Sequence, residues 1–173
     1  MNTSSLKTFA QNARNKLRSQ VSARLSYWLG AEGGTAPDTA AHRQFAPQIK
    51  ELAAAMKKET RDGLVERISY TWFNRLAALR FMDANDFHPF GAKVVSPATE
   101  SDILPQLLQQ ARAGTLDPEI RAALANPQSF DDILSGRIPV AHPEGEAYAM
   151  LLLAVLFHAH TVCVPLPIIR ALY

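Results

Sequence analysis

A chain of 173 residues with 47% apolar and 20% charged residues is long enough for about one globular domain and too apolar for a disordered segment. The single cysteine, Cys163, excludes an internal disulfide framework and a cysteine-rich zinc site, and agrees with a reducing, cytoplasmic setting. A net charge of +2 hides an asymmetry: residues 1–99 carry 14 Lys/Arg against 8 Asp/Glu, whereas residues 100–173 carry 4 against 8.

Met1 to Phe9 lacks the apolar run of a signal peptide. Leu6–Leu29 is predicted to form an amphipathic helix, because Leu6, Phe9, Ala10, Ala13, Leu17, Val21, Leu25 and Trp28 recur at spacings of three and four. Ser4 or Ser5 suits its N-cap, and Gly30 its stop. Between Met1 and Gly30, Lys7, Arg14, Lys16, Arg18 and Arg24 face no acidic residue and fall largely off the apolar stripe. Such a run reads either as a surface facing nucleic acid or as a solvated helix face.

Gly30 to Pro47 reads as a connector. Its Gly33-Gly34 pair lacks the Gly-Lys-Ser/Thr ending of a phosphate loop, and His42-Arg43 reads as a polar loop edge. A second helix is predicted from Pro47 to about Lys58, followed by a break at Thr60–Gly63. The third, Leu64–Asp83, places Val65, Ile68, Trp72, Leu76 and Leu79 on one seam. Tyr70, Phe73, Ala77 and Phe81 add apolar surface on other sides, as expected of a helix at the centre of a bundle.

Beyond Asn85, Lys93-Val94-Val95 is expected as a single strand or an extended linker. Ser101-Asp102 is expected to cap a helix from about Ile103 to Ala113, closed by Gly114, and Asp117-Pro118-Glu119 to open a short one to Ala125. Asn126-Pro127, Ser135-Gly136 and His142-Pro143 read as turns. The last helix, Gly145–Phe157, belongs to an apolar run whose uninterrupted part is eleven residues, against the roughly 20 of a membrane span, so it is read as a core helix. The fold expected is mostly α, about six helices in an irregular bundle around the helix at 64–83.

The segment Val65-Glu66-Arg67-Ile68-Ser69-Tyr70-Thr71-Trp72-Phe73-Asn74-Arg75-Leu76, continuing to Leu79-Arg80-Phe81-Met82-Asp83, resembles a helix found early in the PglX family, V-E-R-x-x-Y-T-W-F-N-R-x-x-A-x-R-F/Y-M-E. The opening Leu6-Lys7-Thr8-Phe9-Ala10-Gln11-Asn12-Ala13-Arg14 and the later Glu146-Ala147-Tyr148 to Leu151-Leu152-Leu153-Ala154 are similar to that family as well. The family comprises the adenine-specific DNA methyltransferases of type 1 BREX phage-resistance systems. The resemblance implies an N-terminal helical part of a much longer enzyme, one that moves a methyl group from S-adenosylmethionine to adenine N6. It also implies DNA, other BREX proteins and the remainder of the methyltransferase as partners, with no membrane.

The chemistry of that enzyme needs a Gly-rich turn for the cofactor and a pocket for a flipped adenine, held in this class by an N-P-P-Y-type loop. The eight glycines form no G-x-G, and the nearest match to the loop, Asn126-Pro127-Gln128-Ser129-Phe130, has Gln at its third place and its aromatic one place late. No catalytic, cofactor-binding or metal residue is therefore assigned, and the chain by itself is expected to be inactive. Candidate DNA contacts are Lys7, Arg14, Lys16, Arg18 and Arg24, since Lys and Arg neutralise phosphates. Arg67, Arg75 and Arg80 are expected in buried or interfacial ion pairs, and Tyr70, Trp72 and Phe73 in core packing rather than base stacking.

Agreement with the family stops near Val155. Residues 1–155 are expected to form the PglX-like helical domain and 156–173 a divergent tail, read from a shifted frame. The tail's His158, His160 and Cys163 form a metal-like triplet without an evident fourth ligand. The rival reading is a stand-alone helical module for protein–protein interaction, with no DNA role.

Overall fold

The computed structural model describes residues 3–31, 38, 39, 42, 43 and 45–158. Seven helices are present among them: α1 (Thr3–Leu29), α2 (Ala46–Lys58), α3 (Arg61–Ala84), α4 (Gln106–Ala113), α5 (Pro118–Ala123), α6 (Pro127–Leu134) and α7 (Pro143–His158). The described residues contain no strand, so the mostly α expectation holds. They divide into two compact units, one up to Arg75 and the other from Leu76.

In the first unit, α1 begins at Thr3, so Ser4 and Ser5 lie inside its first turn rather than at its cap. Gly30, at φ 85°, closes the helix in the left-handed conformation that glycine reaches without strain. Among the described side chains of α1 the buried ones, Val21, Leu25 and Trp28, lie in its last third, while Phe9 near its start is 67% exposed. The core of the unit adds Leu52 from α2 and Leu64, Val65, Ile68 and Trp72 from α3. Arg61 ties the start of α3 to α1, donating to the Ser22 carbonyl at 3.2 Å and to Ser26 Oγ at 2.6 Å.

His42, expected at a polar loop edge, is buried instead. Its Nδ1 lies 2.7 Å from Thr39 Oγ1 and its Nε2 2.9 Å from the Tyr27 carbonyl, so both ring nitrogens are satisfied. The imidazole also packs against the rings of Tyr27 and Trp28. Burial is tolerated because each polar atom has a partner.

The α3 helix buries Val65, Ile68, Trp72 and Leu79 of the predicted seam, with Leu76 half-buried. Its other sides are not enclosed: Tyr70 and Phe81 are each 62% exposed, and Ala77 is exposed. An apolar circumference therefore did not translate into burial all round.

In the second unit the core joins Leu79, Ala92, Val94, Leu107, Leu108, Ile120, Leu124, Phe130, Ala147, Leu151, Leu152, Ala154 and Val155. Helices α4, α5 and α6 all pack on α7, which accounts for its apolar sequence without any membrane. None of the described helices is long and apolar enough to cross a bilayer.

Helix α4 starts at Gln106, three residues later than expected. Pro105 disfavours helical backbone at Leu104, so the helix cannot run through from Ile103, which is 94% exposed. Asp102 serves a turn instead, accepting from the Thr99 amide at 3.1 Å and its hydroxyl at 2.8 Å. Gly114, at φ 71°, closes α4 as predicted. Where Asn126-Pro127 reads as a turn, helix α6 begins: Asn126 is its N-cap, its side chain accepting from the Ser129 amide at 3.0 Å, and Pro127 opens the first turn.

Candidate nucleic-acid interface

Helix geometry distributes the five basic residues of α1. Arg14 and Arg18 stand one turn apart, and the 4-3-4-3 spacing of Arg14, Arg18, Val21, Leu25 and Trp28 forms a single seam. The lower part of that seam is buried and its upper part ends in two guanidinium groups. Both meet Glu66 of α3: Arg14 Nη2 pairs with Oε1, and Arg18 Nε lies 3.1 Å from Oε2. The side chains remain accessible, Arg14 56% and Arg18 44% exposed. Two of the predicted contacts thus sit on the packing seam rather than off it.

Lys16 points about 200° away from Arg14, since residues two apart fall on opposite sides of a helix. Lys7, Lys16 and Arg24 are all exposed and, among the described residues, make no ion pair. Three arginines of the second unit are paired, whereas Arg80 is exposed without an ion pair among the described residues. Arg112 pairs with Glu144, Arg121 with Asp131 and Arg137 with Asp132. The Asp131 side chain accepts from Arg121, and this hydrogen bond together with the charge attraction raises the Arg121 guanidinium above its ordinary value. Lys50, Lys57 and Lys58 of α2 and Arg80 of α3 are likewise exposed without an ion pair among the described residues, so α1 is set apart only by carrying five basic residues and no acidic one.

On α3, Arg67 pairs with Glu59, but on the exposed surface rather than in a buried or interfacial pair. Arg75 does not form the expected ion pair: it is buried, its Nε has no hydrogen-bond partner, and its guanidinium carbon lies 5.8 Å from the Trp72 ring centre. Burial alone lowers its pKa from the ordinary arginine value. Trp72 is buried and Phe73 half-buried, whereas Tyr70 is exposed, so the three aromatics do not share one environment.

A polar centre that the sequence reading missed lies in the second unit. Asp83, at the end of α3, is buried and accepts from the Val94 amide at 2.7 Å, the Val95 amide at 2.9 Å and His88 Nε2 at 2.8 Å. The Ser96 hydroxyl stands beside the carboxylate without closing a well-formed hydrogen bond. Burial pushes the Asp83 carboxyl up, but Ser96, the two amides and His88 outweigh it and hold the group below the usual carboxylate range. His88 stacks on Phe90, with ring centres 5.1 Å apart. A cleft of about 180 Å³ is lined by Asp83 and His88 together with Asp86, Gly91, Lys93 and Gln106. Three hydrogen bonds thus tie the Asp83 carboxylate to the 88–95 segment.

Asn126-Pro127-Gln128-Ser129-Phe130 is the start of α6, and Phe130 is 1% exposed in the core, where its ring cannot stack on a base. His160 and Cys163 of the tail triplet, like all of residues 159–173, lie outside the described residues, while α7 continues through His158. Among the described residues no group of three or more His, Cys, Asp or Glu is placed to hold a metal ion.

Comparison with known proteins adds what the geometry leaves open. The chain is 33% identical over 78 residues to the adenine-specific methyltransferase PglX of Lacticaseibacillus casei (strain Zhang), covering 44% of the chain. It is 32% identical over 144 residues to the adenine-specific methyltransferase BrxX of Escherichia coli O9:H4 (strain HS), covering 72% of the chain. The matches span only 6% and 12% of the lengths of those two proteins. No family model matches the chain. No solved structure matches it. The chain is therefore a PglX/BrxX-like sequence that matches a small part of two adenine-specific methyltransferases.

Proposed function

We propose that the chain serves as a non-catalytic helical part of an S-adenosylmethionine-dependent, adenine-specific DNA methyltransferase of a BREX phage-defence system. In this reading it supports the catalytic portion in the cytoplasm and lends a basic helix to DNA. The observation that carries the DNA role is α1, where five basic residues meet no acidic residue on their own helix and Lys7, Lys16 and Arg24 stay exposed and unpaired. Contacts of this kind neutralise phosphates and carry no sequence information, so recognition of a particular site would belong to the rest of the enzyme. Cofactor and target adenine are likewise assigned to the remainder, and no residue of this chain is given a catalytic role.

The test is an anisotropy titration of two unrelated 20-base-pair duplexes with the 173-residue chain, at low and at moderate salt. Weak, equal and salt-sensitive binding of both duplexes supports the proposal. Absence of binding at low salt, or binding indifferent to salt, contradicts it.

A second reading, a module for protein–protein interaction, is favoured by the exposed aromatics. Phe81 and Phe87 are 62% and 61% exposed and rest edge to face on each other at 6.0 Å. This reading expects partner binding that salt does not weaken and no affinity for DNA.

A further inference from the structure

We propose that Arg14 and Arg18 form an anion fork in which the Glu66 carboxylate stands where a phosphate would bind, making Glu66 a built-in competitor of DNA. The inference rests on α1 being a DNA-contacting helix and adds to that reading how the site is held in check. Each guanidinium takes a different carboxylate oxygen, Arg14 Nη2 on Oε1 and Arg18 Nε on Oε2 at 3.1 Å. A phosphodiester offers two non-bridging oxygens in a similar arrangement, and guanidinium groups bind carboxylate and phosphate by the same forked hydrogen bonding.

Three further observations make exchange feasible. The arginine side chains are 56% and 44% exposed and that of Glu66 is 35% exposed, so an incoming phosphate reaches the fork without any unfolding. Exposed ion pairs contribute little to stability, so releasing Glu66 costs little. One carboxylate also faces two guanidinium groups, leaving the trio with a net positive charge that attracts a polyanion. Glu66 thereby lowers the affinity of the fork for DNA without abolishing it.

The experiment is a titration of a labelled 20-base-pair duplex with the 173-residue chain and its Glu66→Gln variant over a series of salt concentrations. Circular dichroism checks that the helices are retained. We expect E66Q to bind at least about threefold more tightly at low salt, with a log–log salt dependence steeper by about one to two, as each added phosphate contact steepens it by about 0.9. Adding Arg14→Gln and Arg18→Gln to E66Q should abolish the gain. Equal or weaker binding by E66Q than by the parent overturns the inference and leaves Glu66 as a tie between α1 and α3. Failure of both proteins to bind at low salt overturns the DNA-contacting reading itself, and the fork falls with it.

Discussion

Asp83 and Val94 are joined by a 2.7 Å hydrogen bond from the Val94 amide to the Asp83 carboxylate, eleven residues apart in the chain. The Val94 carbonyl in turn accepts from the Tyr148 hydroxyl at 2.9 Å, so both polar groups of this fully buried residue are satisfied by side chains rather than by a neighbouring strand. An extended segment without a sheet is stable in the core for that reason.

Asp83→Ala leaves the Val94 and Val95 amides and His88 without their acceptor inside the second unit. Removing one side of such a buried charged network costs about 3–5 kcal/mol. We expect a loss of that order in urea unfolding, with the smaller loss in Asp83→Asn, which keeps one acceptor oxygen. A change below about 1 kcal/mol in the alanine variant would show that the 88–96 segment is held by other means.

The same group gives a pH dependence. Because the folded protein holds the Asp83 carboxyl below its ordinary value, the unfolded chain takes up the proton first as pH falls. The stabilisation is complete above the unfolded value of about 3.9, in practice above about pH 5, and is lost as pH drops through the folded value. Unfolding free energy should therefore fall as the pH drops below about 5 and on through the folded value, and more shallowly in Asp83→Asn, as urea titrations at stepped pH would read.

Tyr148→Phe deletes only the hydroxyl that serves the Val94 carbonyl. We expect a loss of about 1–2 kcal/mol, the cost of one orphaned buried acceptor, without change in helix content by circular dichroism.

Phe130 and Asn126 test the start of α6. Phe130→Ala opens a cavity in the core and should cost about 3–5 kcal/mol. Asn126→Ala removes the cap to the Ser129 amide and should cost about 1 kcal/mol. If instead the five residues formed a mobile loop, both substitutions would leave the urea midpoint unchanged.

Legibility in the sequence followed the range of the forces involved. Helices α1, α2, α3 and α7 were readable because their apolar spacing is local, and Gly30 and Gly114 stop their helices where a left-handed residue is needed. The start of α4 was misplaced because Ser101-Asp102 resembles a cap, although Pro105 forbids the turn that would follow it. Helix α6 was missed because Asn-Pro announces a turn and an N-cap with the same two residues. Two relationships had no local signal. Glu66 meets Arg14 from 52 residues away, and that depends on the rotation of α1. Asp83 closes the family-like segment and looks like an ordinary polar helix end, yet its partners come from a stretch that reads only as a linker.

The DNA-contacting role of α1 is tested most directly by removing its unpaired charge. Duplex binding by the 173-residue chain should be compared with a Lys7→Gln, Lys16→Gln, Arg24→Gln variant and with an Arg112→Gln, Arg121→Gln, Arg137→Gln control, each across a salt series. We expect the α1 variant to lose affinity and to flatten the salt dependence by up to about three, as phosphate contacts are removed, while the control follows the parent chain. Equal binding by all three proteins, or no binding by the parent at low salt, would contradict it.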